Sequence, residues 1–288
     1  MTRLDFLIDY LLKEDPRYSE VEIPSDLQGK RDLFRALRNV RPPRPVSEEF
    51  LRLQDEELQA QLQEKGVVEL PQLPPLNSLL STTLNSKLPT LNSQHPTTLN
   101  SKPSTLNYIL WQGDITRLKA DAIVNAANSQ MLGCFHPLHR CIDNAIHSAA
   151  GVQLRQECHE MMQQQGHEEP TGQAKITKAY NLPCKHVIHT VGPIVPNGIP
   201  TEFQQGQLAS CYRSVMACAD ENKLESVAFC CISTGEFRFP NRLAAEIAVR
   251  TVTDYLSETP DCSVKTAVFN VFKDRDKEIY AQILAQEN

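Results

Sequence analysis

The chain of 288 residues lacks a surplus of basic charge: 29 Lys and Arg face 35 Asp and Glu, for a net charge of −6. A groove for a nucleic-acid backbone needs clustered Lys and Arg. The balance therefore argues against nucleic acid as a partner, though it leaves room for a local basic pocket for one nucleotide. An apolar leader is also lacking. Met1 to Leu12 holds Asp5 and Asp9 and no uninterrupted apolar run, which argues against a secretory or membrane-spanning segment there. Arg3 alone makes a poor mitochondrial presequence. Trp occurs once, as Trp111, within a strand-like run that suggests core packing. What is present is the composition of a soluble globular protein, with 41% apolar and 22% charged residues. Nine cysteines make an odd count, which points to thiols or metal ligands in a reducing compartment rather than to disulfides. The expected location is the cytoplasm, with no membrane association.

Three regions follow one another. Residues 1–68 read as a helical extension. Leu4, Leu7, Ile8, Leu11 and Leu12 recur at helical spacing, Ser25 with Gln28 has the form of a capping box, and Ser47 can cap a third helix that ends at Gly66. Arg41-Pro42-Pro43-Arg44-Pro45 must interrupt the helical run. Residues 69–107 read as a low-complexity linker rich in Ser, Thr, Asn and Pro, in which Thr-Leu-Asn recurs at Thr83, Thr90, Thr98 and Thr105. Residues 108–288 alternate short Val/Ile-rich runs (Tyr108–Trp111, Ala122–Asn125, His186–His189, Val227–Ile232, Val264–Val271) with helical stretches at 143–163, 203–222, 241–257 and 275–285. Such alternation predicts an α/β layer fold with a largely parallel sheet, whose ligands bind outside the carboxyl ends of the strands.

The segments that follow those strands are therefore the candidates for chemistry. Gly113-Asp114-Ile115-Thr116 offers a turn and a carboxylate that could accept from an exocyclic amine. Asn125 and Asn128 offer amides for ribose hydroxyls. Ser233-Thr234-Gly235-Glu236-Phe237 offers free N–H groups for a phosphate. Between them, Cys134, His139 and Cys141 stand within eight residues as C-x4-H-x-C. Thiolate and imidazole suit zinc, and three protein ligands leave a fourth position open. His136 is the local candidate for a fourth ligand. Asp143 follows at once, where a helix N-terminus welcomes a negative charge. His147, His186 and His189 fall in regular segments and read as packing residues.

Several ordered motifs are similar to those of the macrodomain family: Leu110–Thr116, Val124–Asn128, Ala145-Ile146-His147 with Gly151, Thr171–Ala174, Tyr180–Pro183 and Val187–Pro193. The chain resembles the MacroD-type branch, which hydrolyses protein-linked mono-ADP-ribose. Where that branch carries a glycine run, this chain has Cys134 to Cys141, a replacement that resembles a zinc-containing microbial class found beside a sirtuin-type ADP-ribosyltransferase. The resemblance implies a three-layer α/β/α macrodomain sandwich with a mixed, largely parallel sheet over 108–288, preceded by a small helical extension. It implies adenine recognition at Asp114 and Ile115, ribose contact at Asn128, and phosphate loops at Gly133 and at Ser233 to Phe237. It implies zinc on Cys134, His139 and Cys141, with Asp143 and Asn128 as catalytic residues. ADP-ribose and mono-ADP-ribosylated proteins are the implied ligands. A non-catalytic ADP-ribose reader and an O-acyl-ADP-ribose deacylase use the same kind of pocket, and zinc could either activate water or position the ribose.

Overall fold

The computed structural model describes residues 2–74 and 107–285. Three helices open the chain: α1 (Arg3–Lys13), α2 (Leu27–Val40) and α3 (Glu48–Lys65). Their apolar stripes close a small core of Leu4, Leu7, Ile8, Leu11, Phe34, Leu37 and Phe50. Glu57 is buried at its edge, where it accepts from Arg3 and Arg31. Ser47 caps α3 by accepting from Phe50 N, and Gly66 ends that helix at φ +77°, both as expected. The expected cap at Ser25 is corrected. The helix begins one residue later, and it is the Asp26 carboxylate that accepts from Gly29 N at 2.8 Å. A capping box absent from the sequence reading forms at Thr2 and Asp5.

After α3, β1 (Val68–Glu69) pairs in parallel with β3 (Leu118–Lys119), so the chain at Val68 and Glu69 is tied to the body. The Thr-Leu-Asn repeats of the linker lie outside the described residues, except for Asn107, which opens the first strand of the main sheet instead of ending the linker. The body holds β2 (Asn107–Gln112), β4 (Ala122–Ala127), α4 (Ile142–Ala150), α5 (Val152–Gln165), β5 (Ala174–Lys178) and β6 (His186–Val191), followed by α6 (Glu202–Glu221), β7 (Ser226–Phe229), α7 (Asn241–Glu258), β8 (Thr266–Val271) and α8 (Asp274–Leu284). The sheet order is β2-β8-β7-β4-β6-β5, parallel except for β5 against β6. Helices α6, α7 and α8 pack together as one layer, and α4 with α5 as the other. The result is an α/β/α sandwich with a mixed, mostly parallel sheet.

Two expectations about this body needed revision. The stretch 143–163 is not one helix, because Gly151 at φ +100° ends α4 and starts α5. Strand β5 was not anticipated, because its alternation is interrupted by Lys175 and Lys178 at a sheet edge. Among the described residues, no helix is long and apolar enough to cross a membrane.

Parallel strands place their carboxyl ends on one edge. Gly113-Asp114 after β2, Asn128 after β4, Gly192 after β6, Ser233 beyond β7 and Phe272 after β8 are thereby gathered from separated sequence positions.

Candidate active site

At the β2 corner, Asp114 caps the 3-10 turn Ile115–Arg117 by accepting from Thr116 N at 3.0 Å and Thr116 Oγ1 at 2.7 Å, both through Oδ1. Its second oxygen has no partner among the described residues. Ile115 itself is buried, so any contact it offers is through its backbone. Asp114 opens on to a cavity of about 470 Å³ that Gln28 and Arg31 of α2 and Leu62 of α3 wall on the other side. The N-terminal helices thus face Asp114 across this cavity.

The second loop is fixed by its own turns. Phe239 N donates to Ser233 O, Arg238 N to Gly235 O, and Thr234 Oγ1 to Cys231 O, each at 3.0 Å. The N–H groups of Gly235, Glu236 and Phe237 have no partner among the described residues. Ser233 takes φ +63°, and its buried Oγ is likewise unpartnered. A Cβ at Gly192 would collide with that Oγ, so the close approach of the β6 and β7 corners needs glycine there. Free amides around a buried hydroxyl form a concave donor set suited to phosphate oxygens.

Between these corners, the chain from Leu132 to Cys141 carries the sulfur and imidazole groups. Gly133 stands at φ +78°, and a Cβ there would meet the His147 ring at 2.8 Å. Cys134 Sγ lies 3.6 Å from His139 Nδ1, and these two atoms and Cys141 Sγ fall within 4.8 Å of one another. Cys141 is also the N-cap of α4, accepting from Asn144 N at 3.4 Å. Burial pushes its thiol up to about 12, and the neighbouring Cys134 and Asp143 add to that rise. His139 turns its other nitrogen, Nε2, toward Glu236 Oε1 at 3.7 Å. The donor chemistry and its convergence therefore fit a zinc ion with one side open. His136 is exposed and does not join the cluster; its ring sits 5.3 Å from that of His139.

Asp143 lies on the first turn of α4 and is buried. Its Oδ1 accepts from Asn125 Nδ2 at 2.8 Å, and its Oδ2 lies 3.4 Å from Asn128 Nδ2, which also donates to Gly133 O at 3.1 Å. Burial raises its pKa to about 6, with the Asn125 hydrogen bond opposing the rise. His147, kept neutral by burial, stands 3.5 Å away.

Asn125 departs from the expectation of a ribose contact. It is fully buried, and its amide N–H groups go to Asp143 and to His189 Nδ1 at 3.1 Å. Its place is behind Asp143, holding that carboxylate. His189 is in turn hydrogen-bonded through Nε2 to Thr177 Oγ1 at 2.9 Å. The sequence reading also missed Phe272, which stands 75% exposed at the carboxyl end of β8 beside the Asp114 corner. An exposed aromatic immediately after a buried strand was the available signal.

Residues 124–248 match the Macro domain family. The chain is 48% identical over 280 residues to a protein-ADP-ribose hydrolase of Treponema medium, covering 97% of each chain. It is 45% identical to a protein of the same name from Staphylococcus aureus (strain MSSA476), covering 97% of this chain and 94% of that one. Among solved structures, the Oceanobacillus iheyensis macrodomain with ADP is 36% identical with a TM-score of 0.58, covering 65% of this chain and 94% of that one. The Trypanosoma brucei macrodomain in complex with ADP-ribose is 26% identical with a TM-score of 0.60, covering 86% and 94%. Identity at this level across nearly the full length of both chains, on the same sandwich, means that the chain belongs to the macrodomain family, beside relatives named protein-ADP-ribose hydrolase.

Proposed function

We propose that the protein is a zinc-dependent hydrolase that removes mono-ADP-ribose from modified proteins. The observation that carries this reading is the buried Asp143 carboxylate, held by two asparagine amides, on the helix whose N-cap is the cluster sulfur of Cys141. A module that only bound the nucleotide would need neither the carboxylate nor the sulfur cluster.

In this reading the adenine amine meets the free oxygen of Asp114, with Phe272 as an aromatic platform. The pyrophosphate sits on the amides of Gly235, Glu236 and Phe237 and on Ser233 Oγ, with Gly133 on the opposite loop. The distal ribose then reaches Asn128. Cys134, His139 and Cys141 hold the metal, and when bound it supplies a fixed positive charge and Lewis acidity beside the ribose. Asp143 orients a water and takes its proton. The bond that breaks joins the anomeric carbon to the protein side chain, the bond that forms joins that carbon to the water oxygen, and the proton taken by Asp143 passes to the departing side chain. A nearby carboxylate also favours an oxocarbenium-like ribose. An ADP-ribosyltransferase must supply the substrate; from the resemblance we read it as sirtuin-type, acting with this protein in the cytoplasm.

The test is release of ADP-ribose from a mono-ADP-ribosylated protein, with and without chelator. Release that stops with chelator and returns with zinc supports the reading. Binding of ADP-ribose without release would leave a reader module instead.

A further inference from the structure

The metal loop has almost no structure of its own. Between Leu132 and Cys141 its own backbone supplies one hydrogen bond, His139 N to His136 O at 3.3 Å. Leu138, a non-glycine residue, takes φ +55°. A segment in that state needs outside support to hold three ligands in convergence.

The support comes from side chains outside the loop, two of them about a hundred residues away in sequence. On α2, Arg35 Nη2 donates to His139 O at 3.0 Å and to Asn144 Oδ1 at 2.7 Å. One turn on, Asn39 Oδ1 accepts from Leu138 N at 3.0 Å, and its Nδ2 donates to Ser148 Oγ at 2.9 Å. Arg35 Nε also reaches Ser148 Oγ, at 3.2 Å. Arg35 and Asn39 are thus an i, i+4 pair facing a second such pair, Asn144 and Ser148 of α4. Asn144 Nδ2 passes the restraint on to His136 O at 3.0 Å and Cys134 O at 3.5 Å. Asn39 is 2% exposed and Asn144 wholly buried, so the bond from Asn39 to Ser148 is shielded from water, while those that reach the loop are half-buried. From the other side, Arg155 of α5 donates through Nε to Leu132 O and through Nη1 to Arg38 O, and its guanidinium lies over the Phe135 ring.

We propose that Arg35 and Asn39 of the N-terminal helices are positioning residues of the metal site, so that the extension is a working part of that site. The proposal rests on the zinc reading above. Neither residue ligates the metal or touches the reacting atoms. Arg35 holds the carbonyl of the ligand His139, and Asn39 holds the strained residue just before it. Loosening either lets the imidazole drift from the two sulfurs, at a cost typical of outer-shell partners, about 10–100-fold in metal affinity.

The experiment uses the full chain and the variants Arg35→Ala, Asn39→Ala and Asn39→Asp. Asn39→Asp keeps the acceptor that Leu138 N needs. Zinc affinity is read by competition with a chromogenic chelator, ADP-ribose binding by calorimetry, and amide exchange of residues 132–141 in metal-free protein. Arg35→Ala and Asn39→Ala are expected to weaken zinc about 10–100-fold, to speed exchange at Leu138, and to leave the melting temperature of the metal-free protein close to that of the parent. Asn39→Asp is expected to retain zinc. Should Arg35→Ala fail to fold, the two Asn39 variants carry the comparison. Parental zinc affinity in both alanine variants overturns the proposal. If the parent itself binds no zinc, the zinc reading fails, and exchange at Leu138 decides the rest: faster in the variants, the clamp stands; unchanged, it falls.

Discussion

The two loops that form the cleft are built on opposite plans. Ser233 to Arg238 is closed largely by local backbone turns, between Gly235 and Arg238 and between Ser233 and Phe239, with one outside bond from Val195 N to Phe237 O, so that Gly235, Glu236 and Phe237 have amides to spare. Leu132 to Cys141 has one such bond and is held from α2, α4 and α5 by Arg35, Asn39, Asn144 and Arg155. A local loop can present backbone donors to any phosphate. A loop that must converge two sulfurs and one imidazole draws its rigidity from the whole tertiary structure. The difference teaches that nucleotide binding and metal binding in this cleft should be separable by substitution.

The largest expected effect breaks the metal loop directly. Cys134→Ala or Cys141→Ser should lose both bound zinc, measured by plasma emission spectrometry, and hydrolysis, measured by ADP-ribose release. Full zinc content in either variant would remove that residue from the ligand set. Next comes the chemistry between the loops. Asp143→Ala should leave ADP-ribose affinity in place while turnover falls by about 10²–10⁴-fold, the usual contribution of a positioned acid–base group; unchanged turnover would take Asp143 out of the mechanism. On the phosphate side, Gly192→Ala drives a methyl group into Ser233 Oγ. Its overpacking cost, about 1–3 kcal/mol of stability, should displace the Ser233 loop, so that ADP-ribose binds more weakly in calorimetry with zinc content unchanged. Loss of zinc in that variant would mean that the two loops are not separable. The smallest effect belongs to Phe272→Ala, which should weaken ADP-ribose by about 0.5–1.5 kcal/mol and leave the turnover number alone. A variant that binds as well as the parent would exclude the aromatic platform.

The same division decides what could be read from the sequence. Ser233 to Phe237 follows a strand and precedes a helix, so the strand-turn-helix order marks it as a candidate phosphate loop, and the motif resemblance gives it that role. The proposed ligands Cys134, His139 and Cys141 stand out as a candidate set because they crowd eight residues, and the fold brings their donor atoms together. The clamp was not legible, because Arg35 and Asn39 meet Leu138 and His139 only after α2 docks on α4, and nothing in a helical Arg or Asn announces its partner. Asn125 was assigned to the ligand because it begins the Asn125-Ala126-Ala127-Asn128 motif. Strand alternation at a buried edge turns it inward to Asp143 and His189 instead. The helix expected over 143–163 divides at Gly151, which gives the same signal as Gly66 but stands inside a continuing helical pattern. Strand β5 escaped because a lysine-bearing edge strand lacks the unbroken apolar run of its buried neighbours.

The central claim is that a metal held by Cys134, His139 and Cys141 works beside Asp143 on a nucleotide sugar. De-modification kinetics on a mono-ADP-ribosylated protein, run on zinc-loaded, chelator-stripped and zinc-restored samples of one preparation, test it most directly. Release should be lost on stripping and recovered with zinc, while ADP-ribose still binds the stripped protein. Undiminished release from fully metal-free protein would contradict it.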